Sequence, residues 1–196
     1  FERGYQTIKK RIVGESEDDK RARIEMEGIR QRKELQARMI EESAKEAASS
    51  EYGPPLMQRI SPYQKGRAYD DSFAIEDNND MFLGECGATI AKTIGTNDLA
   101  AVEIWLFDKD DFVRTLTKLF VSEHIYNDPV ARSELESRVE NPQTDIVMVA
   151  PDATINLETD NILVRAKVME FAYGTDAELP PNSHFESMNI RVEGWQ

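Results

Sequence analysis

The chain has 196 residues and a formal net charge of −13 at pH 7, and this charge is unevenly distributed. Residues 1–50 hold 12 Lys or Arg and 11 Asp or Glu, giving +1, whereas residues 51–196 hold 12 and 26, giving −14. An acidic surface repels phosphates, so we expect no nucleic acid partner. Cys86 is the only cysteine, which excludes an intrachain disulfide and an all-cysteine zinc site and favours a cytoplasmic location.

The first residues of the chain combine aromatic and basic side chains, with Lys9, Lys10 and Arg11 in succession. Lys and Arg are enriched on the cytoplasmic side of membrane spans, so this composition suits a juxtamembrane position. The chain also begins with Phe1 rather than Met. Two interpretations follow: an ordinary basic terminus, or the start of the soluble cytoplasmic part of a membrane-anchored protein.

A long charged helix is predicted from Ser16 to about Ala48. Ser16 suits an N-cap, and the acidic residues that follow it interact favourably with the helix dipole. Good helix formers dominate, and Glu41 and Lys45 are spaced to form an ion pair. The apolar residues do not keep heptad positions, which favours a helix that docks on a partner over a coiled coil. Self-association through the helix remains the alternative.

Residues 51–67 are predicted to be a strap between the helix and the rest of the chain. Several prolines remove backbone donors and restrict the residues before them. Leu56 and Met57 are apolar, so the segment should lie on a surface rather than form a free tether. The sequence therefore predicts three parts: a charged helical arm over 1–50, this strap, and an acidic β-rich domain over 68–196.

Short apolar runs separated by turn residues predict a series of strands in the acidic domain. The runs at 72–75 and 81–83 flank a polar turn, which predicts a hairpin whose second strand extends towards Ile94, with Gly84 and Gly87 at a bend or bulge. The next run, 101–107, is apolar on one face and partly so on the other, so we expect it to be central. Further strands are predicted at 146–149, 154–157, 162–173 and 185–195.

The segment 112–126 fits either a helix or a strand, and residues 115–121 favour the strand. One short helix is expected near 128–139, with Pro129 in its first turn and Leu135 facing inward. Strands that follow one another without regular intervening helices favour an antiparallel arrangement. The predicted fold class is mainly β (α+β): an antiparallel β-sandwich-like body with a long charged N-terminal helix and one short helix.

Complete catalytic and cofactor motifs are lacking in this sequence. The run Gly84–Gly87 does not have the spacing of a phosphate-binding loop, and we expect no cofactor. A hydrolase-type enzyme that uses Cys86 or His124 is one alternative, although spacing places no base beside the cysteine. The second histidine, His184, follows a proline-rich loop, and two histidines cannot build a three-histidine zinc centre.

Acidic turns are the other candidates for ligand chemistry, above all Asp108, Asp110 and Asp111. Carboxylate oxygens are the ligands that Ca²⁺ prefers, so a cation-binding β-sandwich domain is a second alternative. These residues do not follow the EF-hand order, and aspartates are also common in turns, which weakens the metal interpretation.

The arm is too polar to be a core helix and too long to be a linker. This combination favours a non-enzymatic protein–protein interaction or assembly module, with other protein subunits or a second copy of the chain as partners. The apolar residues of the arm and strap are expected to supply the contact, and the flanking charges to set its orientation. These contact residues are Ile29, Leu35, Met39, Leu56 and Met57.

Overall fold

The computed structural model describes residues 17–49, 52–111 and 115–196. The chain forms two compact units, Phe1–Pro54 and Pro55–Gln196. In the part of the chain that is described, the first unit is helical and the second is built mainly from strands.

Within its described residues, the first unit contains one long helix, α1, which spans Glu17–Ser49. This element confirms the predicted N-terminal helix. Its expected N-cap, Ser16, lies outside the described residues, as does the basic segment 9–11. Lys45 Nζ donates to Glu41 Oε1 at 2.8 Å, as their spacing predicted. Both side chains are exposed to solvent, so this ion pair contributes little to stability.

The second unit contains two β-sheets. The four-stranded sheet has the order β1-β9-β8-β7, and the five-stranded sheet has the order β2-β3-β4-β5-β6. Neighbouring strands are antiparallel except for β5 and β6, which are parallel. The predicted fold class, a mainly β, sandwich-like body, is confirmed. The strands are β1 (Met57–Gln64), β2 (Asp70–Glu76), β3 (Phe82–Ile94), β4 (Asp98–Asp108), β5 (Leu116–Val121), β6 (Ile146–Met148), β7 (Thr154–Glu158), β8 (Leu163–Tyr173) and β9 (Phe185–Trp195).

Alternating side chains from both sheets meet in one hydrophobic core. In β8, Val164, Ala166 and Val168 are fully buried, whereas the intervening Arg165 and Lys167 are only partly buried. This alternation is that of a strand with one covered face and one wetter face, as predicted. The core is shared by both sheets and includes Ile75, Cys86, Ile104, Leu106, Phe120, Ile155, Leu157, Ile190 and Val192.

Three short helices connect β5 to β6, and parallel strands need such a crossover because a tight turn cannot join them. The predicted short helix near 128–139 is the second of the three, and its Leu135 is buried as expected. The first begins after β5, which confirms the strand favoured over 115–121, and Ser122 caps it by accepting a hydrogen bond from the backbone N–H of Ile125. The helices are α2 (Glu123–Asn127), α3 (Pro129–Glu136) and α4 (Pro142–Asp145).

Part of the predicted strap is a strand of the sheet. Strand β1 pairs with β9 over its whole length, from Met57 opposite Gly194 to Gln64 opposite Ser187. Pro62 does not prevent this pairing, because β1 is the edge strand of its sheet and an edge strand tolerates a missing backbone donor. The apolar residues that suggested a surface strap therefore belong to a paired strand.

The two glycines of β3 that were expected at a bend or bulge differ in their strand register. A register shift lies beside Gly84, between its pairing with Ile75 and the next pairing, whereas Gly87 keeps a continuous register. A Cβ atom at Gly87 would lie 2.2 Å from the carbonyl oxygen of Asp71 and 2.6 Å from Cζ2 of Trp105. Gly87 is therefore required for the close approach of a neighbouring backbone and an indole ring, rather than for a bend.

Candidate functional site

Among the described side chains of α1, three large apolar ones are exposed to solvent: Ile24 at 66%, Met26 at 67% and Ile29 at 37%. Met26 and Ile29 are three residues apart, so they share one face of the helix, which we call the arm patch. Ile24 is two residues from Met26 and lies on a different face. Of these residues, sequence analysis selected Ile29 alone. The sequence does show Ile24 and Met26 as single apolar residues between charged neighbours. No heptad repeat relates them to the other apolar residues, so their exposure could not be predicted.

The other predicted contact residues lie in different environments. Met39 is buried, and the side chain of Leu35 lies outside the described part of the structure. Met57 is a buried residue of the sandwich core, and Leu56 is half-buried against the same core. The expectation that Met57 offers a contact surface is therefore corrected, because strand pairing of β1 turns Met57 inward, towards the opposite sheet. A contact through the half-buried Leu56 stays a prediction.

Asp108, one of the candidate metal ligands, is buried and holds two turns together. Its Oδ2 accepts hydrogen bonds from Thr159 Oγ1 at 2.6 Å and Asn161 Nδ2 at 3.2 Å, and its Oδ1 accepts one from Asp110 N at 2.9 Å. Burial raises the pKa of Asp108, but these hydrogen bonds outweigh burial and hold the pKa below its ordinary value. The charged carboxylate is thus used to connect the end of β4 to the β7–β8 turn.

The neighbouring acidic residues do not complete a metal centre. Within residues 17–49, 52–111 and 115–196, no group of three or more His, Cys, Asp or Glu side chains is placed to hold a metal ion. A surface cleft of about 340 Å³ lies beside the Asp108 turn, lined by Asp111, Leu116, Glu158, Thr159 and Asp160. Its three carboxylates would repel an anionic ligand.

Cys86 is buried in the sandwich core. Burial, together with the negative charge of Glu85, raises the pKa of its thiol to about 12. Because the thiolate is the nucleophile, a thiol with this pKa is almost entirely protonated and unreactive at neutral pH. The local environment therefore does not fit the alternative in which Cys86 is a catalytic nucleophile.

The two histidines lie in neighbouring segments at the junction of α2 with the β8–β9 loop. The backbone N–H of His124 donates to the carbonyl oxygen of Asn182, and Asn182 Nδ2 donates to Glu123 Oε2 at 2.7 Å. His184 is buried, its Nδ1 lies 3.2 Å from Ser183 Oγ, and its Nε2 has no hydrogen-bond partner among the described residues. The ring packs against Gly174, where a Cβ atom would lie 1.9 Å from Nε2.

Ser and His are residue types that hydrolases use, but at this junction a substrate has no access to them. Ser183 and His184 are both buried, so a substrate cannot reach them without a rearrangement of the loop. His124 is partly exposed, and its nearest carboxylate atom, Asp128 Oδ2, is 3.9 Å away, too far for a hydrogen bond. The arrangement ties a loop to a helix and does not present a nucleophile to solvent.

Comparison of the chain with protein-family models, curated proteins and solved structures gives no match. Among the helices that the structure describes, none is long and apolar enough to cross a bilayer. A functional proposal for this protein therefore depends on the chemistry and geometry of its own residues.

Proposed function

We propose that this protein is a non-enzymatic protein–protein interaction or assembly module, and that α1 supplies the contact surface. The observation that carries the proposal is the exposure of Met26 and Ile29 on one face of a 33-residue helix. A helix with a narrow apolar surface gains most of its stability from packing that surface against another element. The arm patch provides such a surface.

The exposed fractions of the two side chains, 67% and 37%, together equal about one full side chain. Full burial of an Ile or Met side chain contributes about 1.5–3 kcal/mol. A partner that covers the arm patch therefore gains roughly 10- to 100-fold in affinity from this contact alone. Such a gain is typical of the few residues that dominate an interface.

A different protein subunit is the proposed partner, rather than a second copy of the chain. Residues 51–196 carry a net charge of −14, so two copies brought together would repel each other. Helix α1 is nearly neutral, with positive and negative side chains interspersed. Its charged residues are therefore suited to fixing the orientation of a partner rather than to excluding one.

Two observations favour an interaction module over the enzyme alternative. The Cys86 thiol is buried and protonated at neutral pH, and the Ser183–His184 pair is buried as well. The calcium alternative is also less favoured, because the Asp108 carboxylate already accepts three hydrogen bonds. An interaction role requires none of these groups to be accessible.

Location is a further part of the proposal. We place the module in the cytoplasm beside a membrane, a position that the sequence of Lys9, Lys10 and Arg11 supports because basic residues are attracted to anionic lipid headgroups. Co-flotation of the full chain with vesicles that contain phosphatidylserine tests it. Loss of flotation in a variant with all three residues replaced by Gln is expected, and no flotation of the unaltered chain would contradict this location.

The test of the interaction role is native mass spectrometry of the tagged full chain, isolated from its own cells in mild detergent. Three forms are compared: the unaltered chain, Met26→Ala with Ile29→Ala, and the control Ile24→Ala. The control removes a side chain of similar exposure from a different helix face. Alanine keeps helix propensity high, so the helix itself is retained.

We expect a complex with a second protein species from the unaltered chain and from the control, and its loss from the arm-patch variant. A complex that survives in the arm-patch variant would contradict the role of this surface. Equal loss in the control would show that the contact is not confined to one face. A homo-oligomer would identify a second copy as the partner and overturn the choice of a different subunit.

A further inference from the structure

The turn between β2 and β3 presents two adjacent apolar side chains to solvent. Met81 is 58% exposed and Phe82 is 42% exposed. The turn is held by Asp77, whose Oδ1 accepts hydrogen bonds from Asn79 N at 2.7 Å and Met81 N at 2.9 Å, and whose N–H donates to the Met81 carbonyl. These hydrogen bonds lower the pKa of Asp77 and keep its carboxylate charged. Met81 is therefore presented on an ordered turn, and Phe82 follows it as the first residue of β3.

This turn is connected to two others at the same end of the sandwich. The Lys109 N–H donates to the carbonyl oxygen of Leu83 at 3.0 Å, and Gly84 pairs with Asp108. The Asp108 carboxylate in turn accepts hydrogen bonds from Thr159 and Asn161 in the β7–β8 turn. The β2–β3 turn, the residues after β4 and the β7–β8 turn therefore form one continuous surface, which we call the acidic end.

The charge of the acidic end is strongly one-sided. Lys109 is the one cationic side chain in the described parts of these three turns, which are 77–81, 109–111 and 159–162. The acidic end also includes Glu158, the last residue of β7. Its negatively charged side chains are Asp77, Asp80, Asp110, Asp111, Glu158 and Asp160. Asp111, Glu158 and Asp160 line the cleft beside the Asp108 turn, and Leu116 adds an apolar wall to it. Such a surface attracts cations over long range and repels anionic partners.

We propose that the acidic end binds a basic segment of another protein, one that carries apolar side chains between its Lys and Arg residues. Met81 and Phe82 make the apolar contact, and the surrounding carboxylates select for positive charge and speed the encounter. Met and Phe are enriched at interface centres, whereas an isolated acidic surface would bind any polycation equally. This site is built from residues of the second unit, whereas the residues of the arm patch belong to α1.

The proposal is tested with three synthetic peptides of equal length: alternating Lys and Leu, alternating Lys and Ser, and alternating Glu and Leu. Calorimetric titration of the full chain at about 0.15 M salt, where the screening length is about 8 Å, reports each affinity. We expect saturable binding of the Lys–Leu peptide, at least 10-fold weaker binding of the Lys–Ser peptide, and no binding of the Glu–Leu peptide. Equal binding of the two lysine peptides would overturn the proposal, as would no saturable binding of any.

A pair of variants locates the apolar contact. Met81→Ser with Phe82→Ser should bind the Lys–Leu peptide about 10-fold more weakly than the unaltered chain. Ile90→Ser with Val130→Ser removes exposed apolar side chains elsewhere on the same unit and should bind normally. Circular dichroism confirms that each variant is folded, and Phe82→Ala alone replaces the double variant if that one is not. Equal affinities of the first variant and the unaltered chain would place the contact elsewhere.

A second pair of variants separates local attraction from overall charge. Asp80→Asn with Asp160→Asn removes two charges from the acidic end, and Asn is tolerated at position 80, where φ is 60°. Glu178→Gln with Glu186→Gln removes the same charge from exposed positions outside these turns. Only the first variant should weaken binding and flatten its salt dependence. Equal losses of affinity in the two variants would show that the peptide is attracted by the overall charge of the chain, and would overturn the proposed site.

Discussion

Replacing Asp108 by Asn should destabilise the sandwich by about 2 kcal/mol at pH 7. The buried carboxylate accepts three hydrogen bonds, and a hydrogen bond to a charged group contributes about 1.5–3 kcal/mol. Asn keeps one acceptor oxygen and the shape of the side chain, but it loses the charge and places an amide donor towards other donors. Thr159 and the exposed Asn161 can regain water, which limits the loss.

The effect of this substitution should depend on pH with a definite sign. The folded-state pKa of Asp108 is lowered relative to its unfolded value of about 3.9, so the charged form stabilises the fold above that value. This contribution is lost as the pH falls through the folded-state pKa. The difference in stability between the unaltered chain and Asp108→Asn should therefore be constant from pH 7 to about pH 5 and decrease below about pH 4.

Urea denaturation, followed by the fluorescence of Trp105 and Trp195, measures this difference at each pH. The control is Asp160→Asn, an exposed residue of the neighbouring turn, which should change stability by less than about 0.5 kcal/mol. The reasoning is refuted if the two variants are equally stable at pH 7, or if the cost of Asp108→Asn is unchanged down to pH 3.

Two further predictions concern the core. The Cys86 thiol, with its pKa raised to about 12 by burial, should not react with a thiol reagent at pH 7 until the protein is unfolded, and rapid labelling of the native chain would contradict its buried environment. Gly87→Ala should cost about 3 kcal/mol or more in urea denaturation, since its Cβ would meet the Asp71 backbone oxygen and the Trp105 ring. The matched control is Gly28→Ala on α1, where a Cβ meets nothing within 4 Å and helicity by circular dichroism should rise.

Local patterns in the sequence predict most of the sandwich. The alternation of Val164, Arg165 and Ala166 identifies β8, and the polar turn after Ile75 identifies the first hairpin. Pairing between distant segments is not a local property, which is why the sequence predicts a strap where the fold has strand β1. Its partner β9 lies more than a hundred residues away, and only the edge position makes Pro62 acceptable there.

The candidate sites were less predictable than the strands. Met57 looked like a contact residue because an apolar side chain beside prolines has no visible partner in the sequence, whereas in the fold it is covered by the core. Asp108 looked like a metal ligand because acceptor oxygens suit both Ca²⁺ and hydrogen-bond donors. The sequence predicts that Met81 and Phe82 lie in a strand, but it does not predict that both side chains are exposed to solvent. Their exposure depends on the orientation of the turn in the fold.

Site-specific photo-crosslinking in living cells tests the central claim, that the arm patch contacts another protein. A photoreactive amino acid is placed at Met26, and in a control chain at Ile24, which is equally exposed but lies on a different helix face. We predict a covalent adduct between this chain and a second protein species from position 26, and little or none from position 24. Absence of an adduct from position 26, or equal adducts from both positions, would contradict the proposed contact.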